Sequence, residues 1–268
     1  MINFSDHARL QIDNLSSSYD GVQILQDISF ELRDEEFVAL LAPSGAGKST
    51  LLKALAGQIA TDSGSVRIDG VELPQGSRAR SEHFAYMPQE DLLSPWASVW
   101  DNVTLYDRLH PDQPGHSRDT VFRLIQRFGL GGYEHELPAK LSGGMRQRAA
   151  FLRTALCPAD ILLLDEPFGA LDVITRGSMQ DWLLDIRRDL KRTILLVTHD
   201  LEEAIYLADR MLILYGRPSS IRKVIEIDAP PEARTREWLF EQAELKAELY
   251  HILENAETAW PGDNDDLL

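Results

Sequence analysis

Residues 42–50 read Ala42-Pro43-Ser44-Gly45-Ala46-Gly47-Lys48-Ser49-Thr50 and follow the continuous apolar run 37–41. A glycine-rich turn of this kind lets successive backbone N–H groups converge on phosphate oxygens. A helix opening at Lys48 would add the positive end of its dipole. The stretch matches a phosphate-binding loop in which Ser44, Gly45, Ala46, Gly47 and Thr50 form the cradle. Lys48 is expected to reach the β- and γ-phosphates of a nucleotide, and Ser49 to ligate Mg²⁺. Ala42 stands where that pattern has its first glycine. Alanine suits the position if φ stays negative there; a loop that binds nucleotide but scarcely turns it over is the alternative.

A second apolar run, residues 161–164, delivers Asp165 and Glu166 side by side. Two adjacent carboxylates at the end of a buried strand are costly unless a cation or a water uses them. Asp165 is expected to hold Mg²⁺ through water and Glu166 to orient an attacking water. A solvated acidic turn is the plain alternative, and a phosphate loop in the same chain argues against it. A third run, residues 194–197, ends in Thr198-His199-Asp200. A lone histidine is more often a surface or core residue, but at a third strand end His199 is placed to hydrogen-bond a γ-phosphate. In an open parallel sheet ligands bind beyond the carboxyl ends of the strands, so the three strand ends are expected to gather on one edge.

The segment Leu141-Ser142-Gly143-Gly144-Met145-Arg146-Gln147-Arg148 forms a different anion site. Ser142 is a natural helix cap. Gly143 and Gly144 would bare backbone N–H groups at the positive end of a helix. One phosphate cradle plus one further anion-binding helix suggests two half-sites, completed when two copies meet head to tail.

The elements that must position these residues follow from apolar rhythm. Residues 10–12 and 24–32 read as strands with a polar turn at Asp20-Gly21 between them. A helix carrying Leu51, Leu52 and Leu55 should follow the phosphate loop and stop at Gly57. Short strands are expected at 65–68 and 84–87. Residues 99–156 look mostly helical, with Val121, Leu124, Ile125 and Phe128 at helical spacing and a break at Gly131-Gly132. Beyond residue 160 strand and helix alternate, with 161–164 and 194–197 as parallel strands covered on both faces. Residues 175–190 and 201–207 read as helices, and 211–214 and 224–227 as closing strands. Pro230-Pro231 marks a boundary, after which one amphipathic helix over 234–253 carries Trp238, Leu245, Leu249 and Ile252. The acidic end 261–268 reads as disordered. Pro95-Trp96, Trp100 and Phe168 are either core or part of a groove for a partner helix. Cys157 reads as inert filler.

Composition sets the outer limits. The chain has 268 residues, 44% of them hydrophobic, enough for a sizeable core. Its single cysteine excludes an intramolecular disulfide and suits a reducing compartment. A formal net charge of −16 offers no basic stripe, so no nucleic-acid partner is expected. The apolar runs fall far short of the roughly 20 residues a spanning helix needs. Residues 1–6 lack the pattern of a signal peptide.

Taken together, these motifs resemble the ATP-binding cassette (ABC) family. Residues 141–147 look like its signature motif. Tyr19 resembles its adenine-stacking aromatic. Gln89, in Met87-Pro88-Gln89, resembles the glutamine that senses Mg²⁺ and the attacking water. Gly169-Ala170-Leu171-Asp172 resembles its D-loop, and His199 its switch histidine. The resemblance runs from about residue 9 to 227. It implies an α/β fold, a P-loop NTPase (RecA-like) core with an antiparallel β subdomain and an inserted α-helical subdomain at about 90–158. The ATPase domain would span 1–230, leaving the helix and acidic tail at 231–268. It also implies ATP and Mg²⁺ as ligands, with Glu166, His199, Gln89 and Lys48 as catalytic residues and Ser49, Gln89 and Asp165 around the metal. A dimer of cassettes would hold each ATP between one Lys48 loop and the partner copy's Ser142-Gly143-Gly144 turn.

With no fused membrane domain, no second cassette and no coiled-coil insertion, the sequence resembles a stand-alone importer subunit. Residues 87–96, 165–172 and 198–204 resemble the branch for nitrate, sulfonate, taurine and thiamine-precursor pyrimidines. That branch implies a separate permease, indirectly a periplasmic or extracellular substrate-binding protein, and a peripheral place on the cytoplasmic face of the inner membrane. A soluble ABC ATPase acting as a mechanical or regulatory module is the other reading.

Overall fold

A computed structural model describes residues 8–75 and 78–258. The expectations for residues 1–6 and 261–268 lie outside the described residues. The strands described are β1 (Ala8–Tyr19), β2 (Val22–Arg33), β3 (Phe37–Leu41), β4 (Ser63–Ile68), β5 (Val71–Glu72), β6 (Phe84–Met87), β7 (Ile161–Asp165), β8 (Thr193–Thr198), β9 (Arg210–Gly216) and β10 (Ser219–Glu226). The chain divides into two compact units, Met1–Ser81 with Arg192–Leu268, and Glu82–Lys191.

In the first unit the strands run in the order β5-β4-β1-β2-β10-β9-β3-β8. The β5-β4-β1-β2 portion is antiparallel. Its central hairpin turns at Asp20 and Gly21, both at positive φ (48° and 78°), as in a two-residue I′ turn. β3 lies parallel to both β8 and β9. All five residues of β3 are buried, because a parallel strand covered on both faces needs a continuous apolar run rather than an alternating one. The register pairs Leu41 with Thr198, so the phosphate loop and the His199 turn leave the sheet side by side.

At the opposite end of β3 a buried ion pair closes the sheet. Arg210 donates from Nε to Glu36 Oε1 and from Nη2 to Glu36 Oε2, both at 2.9 Å. Glu36 Oε2 also accepts the Arg33 N–H, and Arg210 Nη2 donates to the Glu31 carbonyl. Removing one partner strands a charge that has left water. Glu36→Ala is therefore expected to destabilise the protein by about 3–5 kcal/mol in denaturant unfolding.

The second unit pairs β6 with β7 in parallel, from Phe84↔Ile161 to Met87↔Leu164. Around them lie the helices Val99–Val103, Leu105–Leu109, Arg118–Arg127, Gly143–Ala155 and Val173–Leu190. Ser98, Ser117, Ser142 and Asp172 each cap a helix by accepting a backbone N–H from its first turn. Phe128, Phe151 and Trp182 join the three longer helices edge to face, Trp182 lying 4.8 Å from Phe128 and 5.5 Å from Phe151.

One sequence expectation needs correction. The single helix at 234–253 is two helices, Arg236–Glu241 and Ala243–Thr258. The chain leaves helical geometry at Gln242 (ψ 32°), whose side-chain amide donates to the Trp238 carbonyl and closes the first helix. The buried anchors are Leu239 and Leu249, while Trp238, Leu245 and Ile252 are half-buried. Trp96 and Phe168, alternatives in the sequence, separate cleanly. Phe168 is core at 1% exposure, and Trp96 stands 81% exposed. Trp100 is half-buried with the Arg118 guanidinium 5.6 Å over its ring.

Candidate functional site

In the first unit the phosphate loop turns on Gly45 (φ 78°) and Gly47 (φ 84°), conformations that side-chain-bearing residues rarely adopt. At Gly47 a Cβ would also lie 2.6 Å from Ile24 Cγ2 and 3.0 Å from Leu25 Cδ2. Gly47→Ala is thus expected to deform the loop and to weaken nucleotide binding on the order of tenfold or more, read by titration with a fluorescent ATP analogue. Ala42 is absent from the positive-φ positions, so alanine's requirement there is met.

The helix Lys48–Leu55 begins at Gly47. No side chain caps its first N–H groups, and no acidic residue in its first turn offsets the positive end of its dipole. Lys48 is buried, and its Nζ donates to the carbonyls of Ala42 (3.1 Å) and Pro43 (3.0 Å), arching over the loop. Ser44, Gly45 and Ser49 are exposed, Ala46 is buried, and Thr50 is half-buried.

His199 is exposed at the end of β8. Its turn is fixed on both sides. The Ala42 N–H donates to the Thr198 carbonyl, Thr198 Oγ1 donates to the buried Glu203 (2.6 Å), and Asp200 caps the helix Leu201–Leu207. Ala42, Pro43, Ser44 and His199 line one cavity of about 800 Å³. Lys246 and Tyr250 of the C-terminal helix line it too, a contribution that no motif announced. Tyr19 stands 68% exposed at the tip of the β1–β2 hairpin.

In the second unit β7 delivers Asp165 almost fully buried. Asp165 Oδ2 accepts the Tyr86 hydroxyl at 2.9 Å. Burial and the neighbouring carboxylate push the Tyr86 hydroxyl above its ordinary range, so it stays a donor. Glu166 follows at φ 45°, a left-handed conformation that is uncommon for glutamate and typical of residues whose side chain must point where regular backbone would not send it. The turn closes with the Gly169 N–H on the Glu166 carbonyl at 3.1 Å. A Cβ at Gly169 would meet Gln89 Nε2 at 3.5 Å and Glu166 Oε2 at 3.8 Å, so Gln89 and Glu166 flank the same glycine.

The helix Gly143–Ala155 presents its N-terminus through Ser142, whose Oγ accepts the Met145 N–H at 3.2 Å. Ser142 and Gly143 are exposed, whereas Gly144 is buried against Thr175, whose Cγ2 would sit 2.6 Å from a Cβ there. Gln147, one turn on, is buried and donates to the Pro167 carbonyl, which ties this helix to the segment after Glu166. The structure thus joins the phosphate loop with His199 in one unit. In the other it joins Asp165, Glu166 and Gln89, with the Ser142 helix anchored beside them.

Ser49, Gln89 and Asp165 offer a hydroxyl, an amide oxygen and a carboxylate, the hard oxygen donors that Mg²⁺ takes. Asp165 commits one of its two oxygens to Tyr86. No group of three or more His, Cys, Asp or Glu gathers into a cage among the described residues. The donors fit Mg²⁺.

The chain is similar over most of its length to known proteins of one family. Residues 25–169 match the family model described as ABC transporter. An aliphatic sulfonates import ATP-binding protein of Bacillus cereus is 42% identical over 233 residues, 85% of this chain and 90% of that protein. A formylaminopyrimidine import ATP-binding protein of Halalkalibacterium halodurans is 40% identical, covering 85% of this chain and 87% of that protein. A taurine import ATP-binding protein of Yersinia pestis is 40% identical over 79% of this chain and 82% of its own length. The fold matches the dimeric ATP-binding cassette MJ0796 bound to ADP and Pi, with a TM-score of 0.69 at 22% identity over 82% of this chain and 100% of that one. By fold, by motif and by kinship across most of its length, the chain belongs to the ABC transporter family as an ATP-binding, ATP-hydrolysing cassette.

Proposed function

We propose that this chain is the ATPase subunit of an importer and energises uptake of a small anionic or polar solute through a separate permease. The solute class is that of the sulfonate, taurine and formylaminopyrimidine relatives, with nitrate as a further member. The observation that carries this reading is the kinship at 40–42% identity over most of the chain with three import subunits. Residues 1–230 would form the ATPase domain, with a helical subdomain at about 90–158, and 231–268 an appended C-terminal part. No helix among the described residues is long and apolar enough to cross a membrane. The chain would reach the cytoplasmic face of the inner membrane through the permease. The exposed Trp96 is the natural contact, since a bare tryptophan is a favoured interface anchor. A periplasmic or extracellular binding protein would deliver the solute.

In this reading Ser44–Thr50 cradle the phosphates, Lys48 neutralises the β- and γ-oxygens, and Tyr19 stacks on the adenine. Glu166 orients and deprotonates the attacking water. Gln89 and His199 sense the water and the γ-phosphate. When bound through Ser49, Gln89 and Asp165, Mg²⁺ supplies charge stabilisation for the departing phosphate. A second copy would complete each pocket with Ser142, Gly143 and Gly144. Reconstitution with a candidate importer permease tests the reading: ATP-dependent accumulation of a sulfonate, taurine, nitrate or pyrimidine in vesicles is expected. An ATPase that never associates with a permease and drives no uptake would favour the soluble mechanical or regulatory module.

A further inference from the structure

Tyr86 lies outside every motif read from the sequence, yet its hydroxyl makes a direct contact with Asp165. The β6–β7 register pairs Tyr86 with Leu163, two residues before Asp165. Strand periodicity then places Tyr86, Leu163 and Asp165 on one face of the pair. The hydroxyl is 2.9 Å from Asp165 Oδ2. Asp165 is 5% exposed, so an unpaired oxygen there would be short of water. Of its two oxygens one is therefore fixed in space by a neutral donor, and the plane of the carboxylate is fixed with it.

We propose that Tyr86 is a positioning residue that orients the Asp165 carboxylate toward the hydrated divalent cation of a bound nucleotide. The proposal rests on the reading of Asp165 as the Mg²⁺ carboxylate. A neutral hydroxyl serves this role better than a cation would. It orients the carboxylate without cancelling the negative charge that attracts the metal, whereas an arginine or lysine in its place would compete with Mg²⁺ for the same oxygens. Tyr86 also lines a groove of about 210 Å³ together with Leu105, Tyr106 and Leu109.

Y86F removes the hydroxyl and little else, and Y86M fills similar space without a donor. Nucleotide affinity is measured in EDTA with a fluorescent ATP analogue. Mn²⁺ affinity of the nucleotide-bound protein is measured by electron paramagnetic resonance. Both variants are expected to bind nucleotide without metal as the native protein does and to bind Mn²⁺ on the order of tenfold more weakly, the scale of a lost hydrogen bond to a charged group. Their ATPase rate should recover as Mg²⁺ is raised, a rescue that a general packing defect would not give. Native Mn²⁺ affinity in either folded variant overturns the role of Tyr86. Asp165→Asn separates the two layers of the argument. If it too keeps native Mn²⁺ affinity, the assignment of Asp165 is wrong, and the proposal falls with it. If it loses Mn²⁺ while Y86F does not, only the proposal falls.

Discussion

Glu166→Gln is expected to bind ATP with native affinity, to hydrolyse it about 10²–10⁴-fold more slowly, and to accumulate as a nucleotide-bound dimer. The expectation follows from what the substitution leaves intact. Glutamine has nearly the shape of glutamate and keeps one oxygen beside Gly169 and Gln89. Residue 166 sits at φ 45° in a turn closed by the Gly169 N–H on its carbonyl, a backbone bond that the substitution keeps, so the backbone should hold its course. The phosphate loop belongs to other segments of the chain, and its lysine and helix N-terminus are untouched. What disappears is the ability to take a proton from water. If ATP closes the pair of cassettes and hydrolysis reopens it, blocking hydrolysis holds the closed state, since the ligand continues to favour the conformation it binds best. Single-turnover hydrolysis and size-exclusion chromatography with ATP and Mg²⁺ check both halves. A Glu166→Gln protein that hydrolyses at the native rate would remove Glu166 from the base position.

The parts of this site that could be read from sequence are those in which one segment carries the whole signal. The phosphate loop is contiguous, and glycine is required at 45 and 47 by a backbone that other residues resist. β3, β7 and β8 announce themselves because parallel strands buried on both faces must be apolar throughout. β1 and β2 were longer than alternation suggested. Their pairing slips between Ile12, Leu15 and Ser17, with Asn14 and Asp27 at positive φ, and each slip resets the two-residue period. The break at Gln242 carried no glycine or proline to mark it. The Tyr86–Asp165 bond joins residues 79 apart, a distance over which no periodicity speaks. Likewise the left-handed φ of Glu166 was hidden, because the motif gives the residue type and not the turn that aims it. Lys246 and Tyr250 reach the cavity of Ser44 and His199 from a helix whose own pattern shows only an amphipathic surface.

Ser142→Arg tests the other half of the pocket. The serine is exposed, and it caps its helix through a single hydrogen bond to Met145, so its loss should cost about 1 kcal/mol and leave the fold intact. An arginine in its place projects a long side chain into the space before Gly143, where a partner copy's nucleotide would have to approach. The variant is expected to bind ATP as a monomer with native affinity, to form no ATP-dependent dimer, and to lose turnover on the order of a hundredfold, the scale of removing a preorganised set of phosphate donors. Lys48→Ala should instead lose nucleotide affinity outright. The two defects lie on opposite halves of the proposed pocket, and that makes their mixture informative. A mixed dimer has one pocket with both lesions. Its other pocket combines the intact Lys48 loop of the Ser142→Arg chain with the intact Ser142 turn of the Lys48→Ala chain. Mixing the two inactive proteins should therefore restore activity, greatest near equal amounts. If each chain enclosed its own ATP, every pocket in the mixture would carry a lesion, and no ratio would restore anything.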